Sequence, residues 1–179
     1  MIALSTNYPF NQVASADKSK VSNGQLLMSE IPAGGVNSLP IKLPFAIEPT
    51  IEGTEREYLG KGPVLKEVLY DFKIAVTIPH KTASANGTYV ISVDTCNTET
   101  GTYASVYSTT LTAKELMVDG DKVSVTLDQV KTKKYVKVSA KYVANATSAV
   151  AIQAIADETG SWDKKRKNPR ILVELAPRV

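Results

Sequence analysis

From Leu65 onward the chain alternates apolar and polar positions with a period of two. In "LYDFKIAVTIP" (69–79), Tyr70, Phe72, Ile74, Val76 and Ile78 share one face, and Asp71, Lys73, Ala75 and Thr77 share the other. That pattern predicts a half-buried strand. "SANG" turns the chain, and "TYVISVDT" repeats the pattern with Tyr89, Ile91 and Val93 against Ser92 and Asp94. A polar loop, "CNTETG", leads into "TYASVYSTTL", strand-like through its Val, Tyr and Thr content. "TAKELM" sets Thr112 three residues before Glu115, a capping box that predicts a short helical turn. "DGD" (119–121) opens a loop into "KVSVTLDQV", where Val123, Val125 and Leu127 point one way. In "KYVKVSAKYV", Val136, Val138, Ala140 and Tyr142 oppose Tyr135, Lys137, Ser139 and Lys141. "RILVELAP" adds a terminal strand. Five or six strands at hairpin spacing, with almost no helix, predict an all-β fold, an antiparallel β-sandwich or jelly roll.

The first 66 residues differ in texture. Polar and apolar positions mix without sustained period, and breakers recur at "SNG" (22–24), "PAGG" (32–35), Pro40, Pro44 and Pro49. Short extended pieces are expected at "GQLLMSEI" and "IKLPFAIE"; proline cannot donate to a ladder, which confines the second to an edge or an arm. "TEREYLGKG" predicts one helical turn ended by Gly60. The division is therefore an extended N-terminal arm over 1–66, packed partly on the sandwich or on neighbours, and a sandwich domain over 67–179. Tyr8 and Phe10 are the arm's candidate interface residues.

After the turn at "ANAT" comes a strand without a wet side. Val150, Ile152, Ala154 and Ala156 lie on one face and Ala149, Ala151, Gln153 and Ile155 on the other, with no charge until Asp157. Such a strand is central in a sandwich or covered by another chain. Ala149 and Ala151 are small enough to let a second sheet or subunit approach, and they are candidate interface positions.

Charge is unevenly divided. Residues 1–66 and 67–157 are each neutral, so the net +3 resides in the last 22 residues. There "DKKRKNPR" (163–170) is either a solvated loop before the last strand or a patch for an acidic surface. Lys164, Lys165, Arg166 and Arg170 of this basic tail are the candidate contacts. Nucleic acid is not the expected partner, because only Trp162 lies near these charges as an aromatic platform. No apolar run approaches 18 residues, so no membrane association is expected either, and "MIALSTNYPFNQ" lacks the basic start of a signal peptide.

Candidate chemistry is thin. The single histidine, His80, and the single cysteine, Cys96, cannot build a zinc site of nitrogen and sulfur ligands within one chain. A Cys96–His80 dyad would bracket a hairpin, and Cys96 has no basic neighbour in sequence to activate it. One cysteine also fits assembly in a reducing cytoplasm, so the sequons at Asn86 and Asn145 read as turns. Asp119 and Asp121 lack the later ligands of a calcium loop. Asp94, Glu99 and Asp128 are scattered carboxylates, none marked as a glycosidase pair. No catalytic residue, cofactor or metal ligand is assigned, and the chain is expected not to be an enzyme.

Three ordered segments resemble the capsid cement, or decoration, proteins of tailed bacteriophages: "FKIAVTIP", then "TYVISVDTCNTETGTYASVYSTTLT", then "DKVSVTLDQVKTKKYVKVSAKYVANATSAVAIQAIAD". The likeness covers about half of the chain and lies in texture and order; the long N-terminal region and the basic tail depart from it. It implies a virion structural protein with a β-sandwich or jelly roll and no cofactor. It also implies a homo-oligomer, dimer or trimer, bound to the major capsid protein on the outside of the head after assembly in the host cytoplasm. The alternative is a carbohydrate-binding β-sandwich module of a phage tail or surface protein, with Tyr103, Tyr107 and Trp162 as its aromatic platform.

Overall fold

The computed structural model describes residues 6–43, 69–78, 87–112, 122–144 and 170–177. Among these described residues, ten strands form two antiparallel sheets: β1 (Val21–Ser22), β2 (Gln25–Leu27), β3 (Val36–Asn37), β4 (Ile41–Lys42), β5 (Leu69–Ile78), β6 (Gly87–Cys96), β7 (Ala104–Thr112), β8 (Lys122–Lys131), β9 (Tyr135–Ala144) and β10 (Arg170–Pro177). The first sheet runs β1-β2-β10-β5-β8, and the second runs β3-β9-β6-β7, with β4 also paired to β9.

The period-two faces become the two walls of one core. Tyr70, Phe72, Ile74 and Val76 of β5 and Ile171, Val173 and Leu175 of β10 are buried from the first sheet. Tyr89, Ile91 and Val93 of β6 and Val136, Val138, Ala140 and Tyr142 of β9 are buried from the second. Alternation is enough to bury these faces because each strand is covered on one side only. The wiring interlocks: β5 leads to β6 and β8 leads to β9, while β5 pairs with β8 and β6 pairs with β9.

Two placements add detail to the expectations. "RILVELAP" ends the described chain, yet β10 lies inside its sheet, between β2 and β5. Arg170, the end of the basic run, therefore begins this core strand, opposite Thr77 and Leu27. Residues 6–43 are integral to the sandwich. Phe10, Val13, Leu26, Leu27, Met28, Ile31, Val36 and Leu43 are buried with the core. Their order comes from short devices. Asn23 (φ 49°) and Gly24 (φ 74°) make the two-residue turn between β1 and β2, the Asn-Gly hairpin whose two positive φ angles match strand twist. Asn7 exchanges both backbone hydrogen bonds with Leu175, each 2.8 Å. Ser38 receives the Val138 N–H on its Oγ at 2.9 Å and donates its own N–H to the Val138 carbonyl at 2.8 Å. This segment thus runs from the β1–β2 edge of one sheet to the β3–β4 edge of the other and closes that side.

Candidate interaction surface

The opposite side of the sandwich is bounded by β7 and β8, neither of which has a second neighbour among the described residues. Tyr107 of β7 packs across the sandwich on Phe72 of β5, the strand next to β8, in an edge-to-face pair with centroids 5.1 Å apart. The Tyr107 phenol is held above its ordinary pKa, first by burial, with the Asp128 carboxylate adding to the shift.

The two edges differ. β7 carries a bulge: Val93 faces Tyr107 but Asp94 faces Ser105, leaving Val106 as an extra residue. Its outward positions include Ser108 and Thr110. β8 pairs with β5 without interruption, from Lys131 opposite Leu69 to Lys122 opposite Ile78. Directly opposed residues share a face, so Val130, Asp128 and Thr126 follow Tyr70, Phe72 and Ile74 toward the interior and its rim. Val125 and Leu127 follow Ala75 and Lys73 outward and are 54% and 66% exposed. The sequence pattern is thus real but inverted: β8 turns its apolar face to the outside. The outer row Val125–Ala75–Leu172–Gln25 crosses four strands, and Leu127 lies beside a Lys73–Glu174 ion pair of 3.4 Å.

A second feature is the end of the sandwich at the β8–β9 turn, "KTKKY". Buried Thr95 pins it: its Oγ1 accepts the Lys133 N–H at 2.6 Å and donates to the Tyr135 carbonyl at 3.1 Å. Lys137 Nζ sits 4.4 Å from the centroid of the Tyr103 ring, and the Tyr103 hydroxyl donates to the Glu99 carbonyl at 2.9 Å. Cys96 is buried at the start of the adjacent loop. The Thr98 backbone N–H holds its thiol below the ordinary pKa, against the opposing effect of burial. Among the described residues no group of three His, Cys, Asp or Glu side chains could hold a metal ion, and no helix is long and apolar enough to cross a membrane.

Of the sequence-derived interface residues, Tyr8 is exposed at 39% and Phe10 is not, at 1%. Phe10 is corrected to a core residue: the single 3-10 turn Pro9–Asn11 packs it between the sheets. Arg170 is half-buried at the start of β10. Ala149, Ala151, Lys164, Lys165 and Arg166 lie outside the described residues, as do His80, Trp162, Asn86 and Asn145 of the sequons, "DGD", "TEREYLGKG" and the strand after "ANAT". Thr112, read as a helix cap, is the last residue of β7, and the residues after it are likewise outside. The β8 edge was missed because alternation defines two faces without saying which is inside.

The architecture is that of an antiparallel β-sandwich. Compared with known proteins, the chain matches no family model, no curated protein and no solved structure.

Proposed function

We propose that this chain is a virion structural protein, a cement or decoration protein. On this reading it binds the major capsid protein on the outside of an icosahedral bacteriophage head and acts as a homo-oligomer without catalysis. The observation that carries the proposal is the outer face of the first sheet, which ends in the exposed apolar residues of an uninterrupted edge strand. Such a surface binds through main-chain pairing and area, not through a pocket, and gains strength when many copies act together. The segments that resemble cement proteins include β5 to β9. The jelly-roll form belongs to this proposal, and the interlocked β5–β8 and β6–β9 pairs support a Greek-key wiring of that kind. So does a contact role for the arm and tail beyond the described residues. The carbohydrate-binding alternative draws no support from the tyrosines: Tyr107 packs on Phe72, and the Tyr103 face is taken by Lys137.

The test is addition of the purified chain to expanded heads that lack it. Co-sedimentation and a higher temperature of head disruption are expected. Failure to associate with heads overturns the proposal.

A further inference from the structure

We infer that two copies of this chain join through β8, edge to edge and antiparallel, about a two-fold axis at Val125. This gives the homo-oligomer proposed above a definite interface and rests on that part of the reading alone, not on capsid binding.

Edges of sheets are ordinarily blunted by charge, proline, a bulge or short length. The β7 edge has its bulge and outward hydroxyls. β8 has ten residues in unbroken register, with its charges Lys122, Asp128 and Lys131 off the centre and its two most exposed apolar side chains near the middle. Exposure along the outer row also rises toward the edge: Ala75 and Leu172 are half-buried, and Val125 is exposed. The uncovered apolar surface therefore lies where only an added strand would continue the sheet.

The occupant follows from β8's own sequence. A two-fold axis that keeps both outer faces on one side pairs odd positions with odd and even with even. Centred on Val125, the antiparallel register sets Val125 against itself, Val123 against Leu127, and Ser124 against Thr126. It also sets Lys122 against Asp128, twice by symmetry. Moving the centre to Ser124 or Thr126 removes both charge pairs: a centre at Thr126, for instance, puts Lys122 against Val130. One register thus satisfies the apolar face and the charges together, as opposite-charge and β-branched cross-strand pairs require. A strand of a different protein would have to supply this pattern, and a second copy already has it. The result is a sheet continuous through the dimer, with Val125 and Leu127 of both copies covering one another at its centre.

The test uses the full chain in sedimentation equilibrium, with far-UV circular dichroism and melting temperature as fold controls. The unmodified chain is expected to be a dimer. V125K places two lysines directly opposite on the axis, and the dissociation constant should rise by at least about tenfold, the equivalent of roughly 1.4 kcal/mol. D128K should likewise give monomers, and K122D/D128K should restore the dimer. In a C96S background, V125C should cross-link to itself under mild oxidation, whereas V123C and L127C should cross-link when mixed and not when alone. A monomeric unmodified chain, a V125K or D128K chain still dimeric, or a cross-linking pattern of another register overturns the inference. If V125K does not fold, the charge swap and the cross-links decide it. Capsid binding by a chain that is monomeric would overturn this interface and leave the proposed function standing; a β8 dimer that ignores heads would do the reverse.

Discussion

Replacing Phe10 with alanine separates an integral N-terminal segment from an arm that merely rests on the surface. Phe10 is 1% exposed, and its one-turn helix touches β2 and β10 of one sheet and β9 of the other. The ring therefore fills a gap bounded on both sides by hydrogen-bonded strands, which cannot collapse around the space it would leave. Phe→Ala substitutions at such sites cost about 3–5 kcal/mol, and a rigid surround places the effect in the upper part of that range. With a urea m-value of roughly 2 kcal/mol/M, about 4 kcal/mol moves the midpoint by ~2 M. In a chain of 179 residues the same change lowers Tm by roughly 10 °C. The assay is urea and thermal unfolding followed by far-UV circular dichroism, with Tyr8→Ala beside it. Tyr8 is 39% exposed, so its truncation should stay within about 0.5 kcal/mol. Equal, small effects for the two variants would refute the reasoning and return residues 6–43 to the status of a peripheral arm.

Thr95→Val keeps shape but removes the acceptor of the Lys133 N–H and the donor to the Tyr135 carbonyl; it should cost about 1–3 kcal/mol, measured by urea unfolding. Burial raises the Tyr142 pKa, so the folded chain holds that proton where the unfolded chain, near pH 10, begins to lose it. Stability from this group is present below about pH 10 and is lost as pH rises through the higher folded value, with a slope of at most about 1.4 kcal/mol per pH unit. Tyr142→Phe, which keeps the tilted ring contact with Tyr89 at 5.3 Å, should flatten that fall when unfolding midpoints are compared from pH 8 to pH 11. An unchanged alkaline slope would count against burial as the cause.

Much of the sandwich was legible because β5, β6 and β9 are long and have one buried face each, so that alternation marks the residues the core needs. The N-terminal segment was less so for a physical reason. Its buried residues come from 3-10 turns and strands of two or three residues, too short to show a period. Its informative signal was local: Asn23-Gly24, which reads as a mere breaker until its hairpin turn is recognised. Position within a sheet was not legible at all. β10 comes last among the described strands, yet sits between β2 and β5, because sheet order is decided by partners far apart in sequence. Of the candidate site residues, Tyr8 kept its exposure and Phe10 lost it, since a single turn of helix can direct neighbouring side chains to opposite environments.

The inversion of β8 links these observations. An edge strand on the open side has only half a core to face: its inner positions look toward the rim where Tyr107 and Asp128 meet, so Thr126 and Asp128 are tolerated there. Polar residues inside do not account for apolar ones outside, however, and at 54% and 66% exposure Val125 and Leu127 leave much of their apolar area uncovered. The closed side shows what covering an edge achieves: residues 6–43 bury their own apolar groups while supplying short strands to both sheets. On the open side nothing among the described residues does the same work, and β7 protects itself by a bulge where β8 does not. The asymmetry between the two edges, more than the exposure of either residue, is the ground for placing the proposed association at β8.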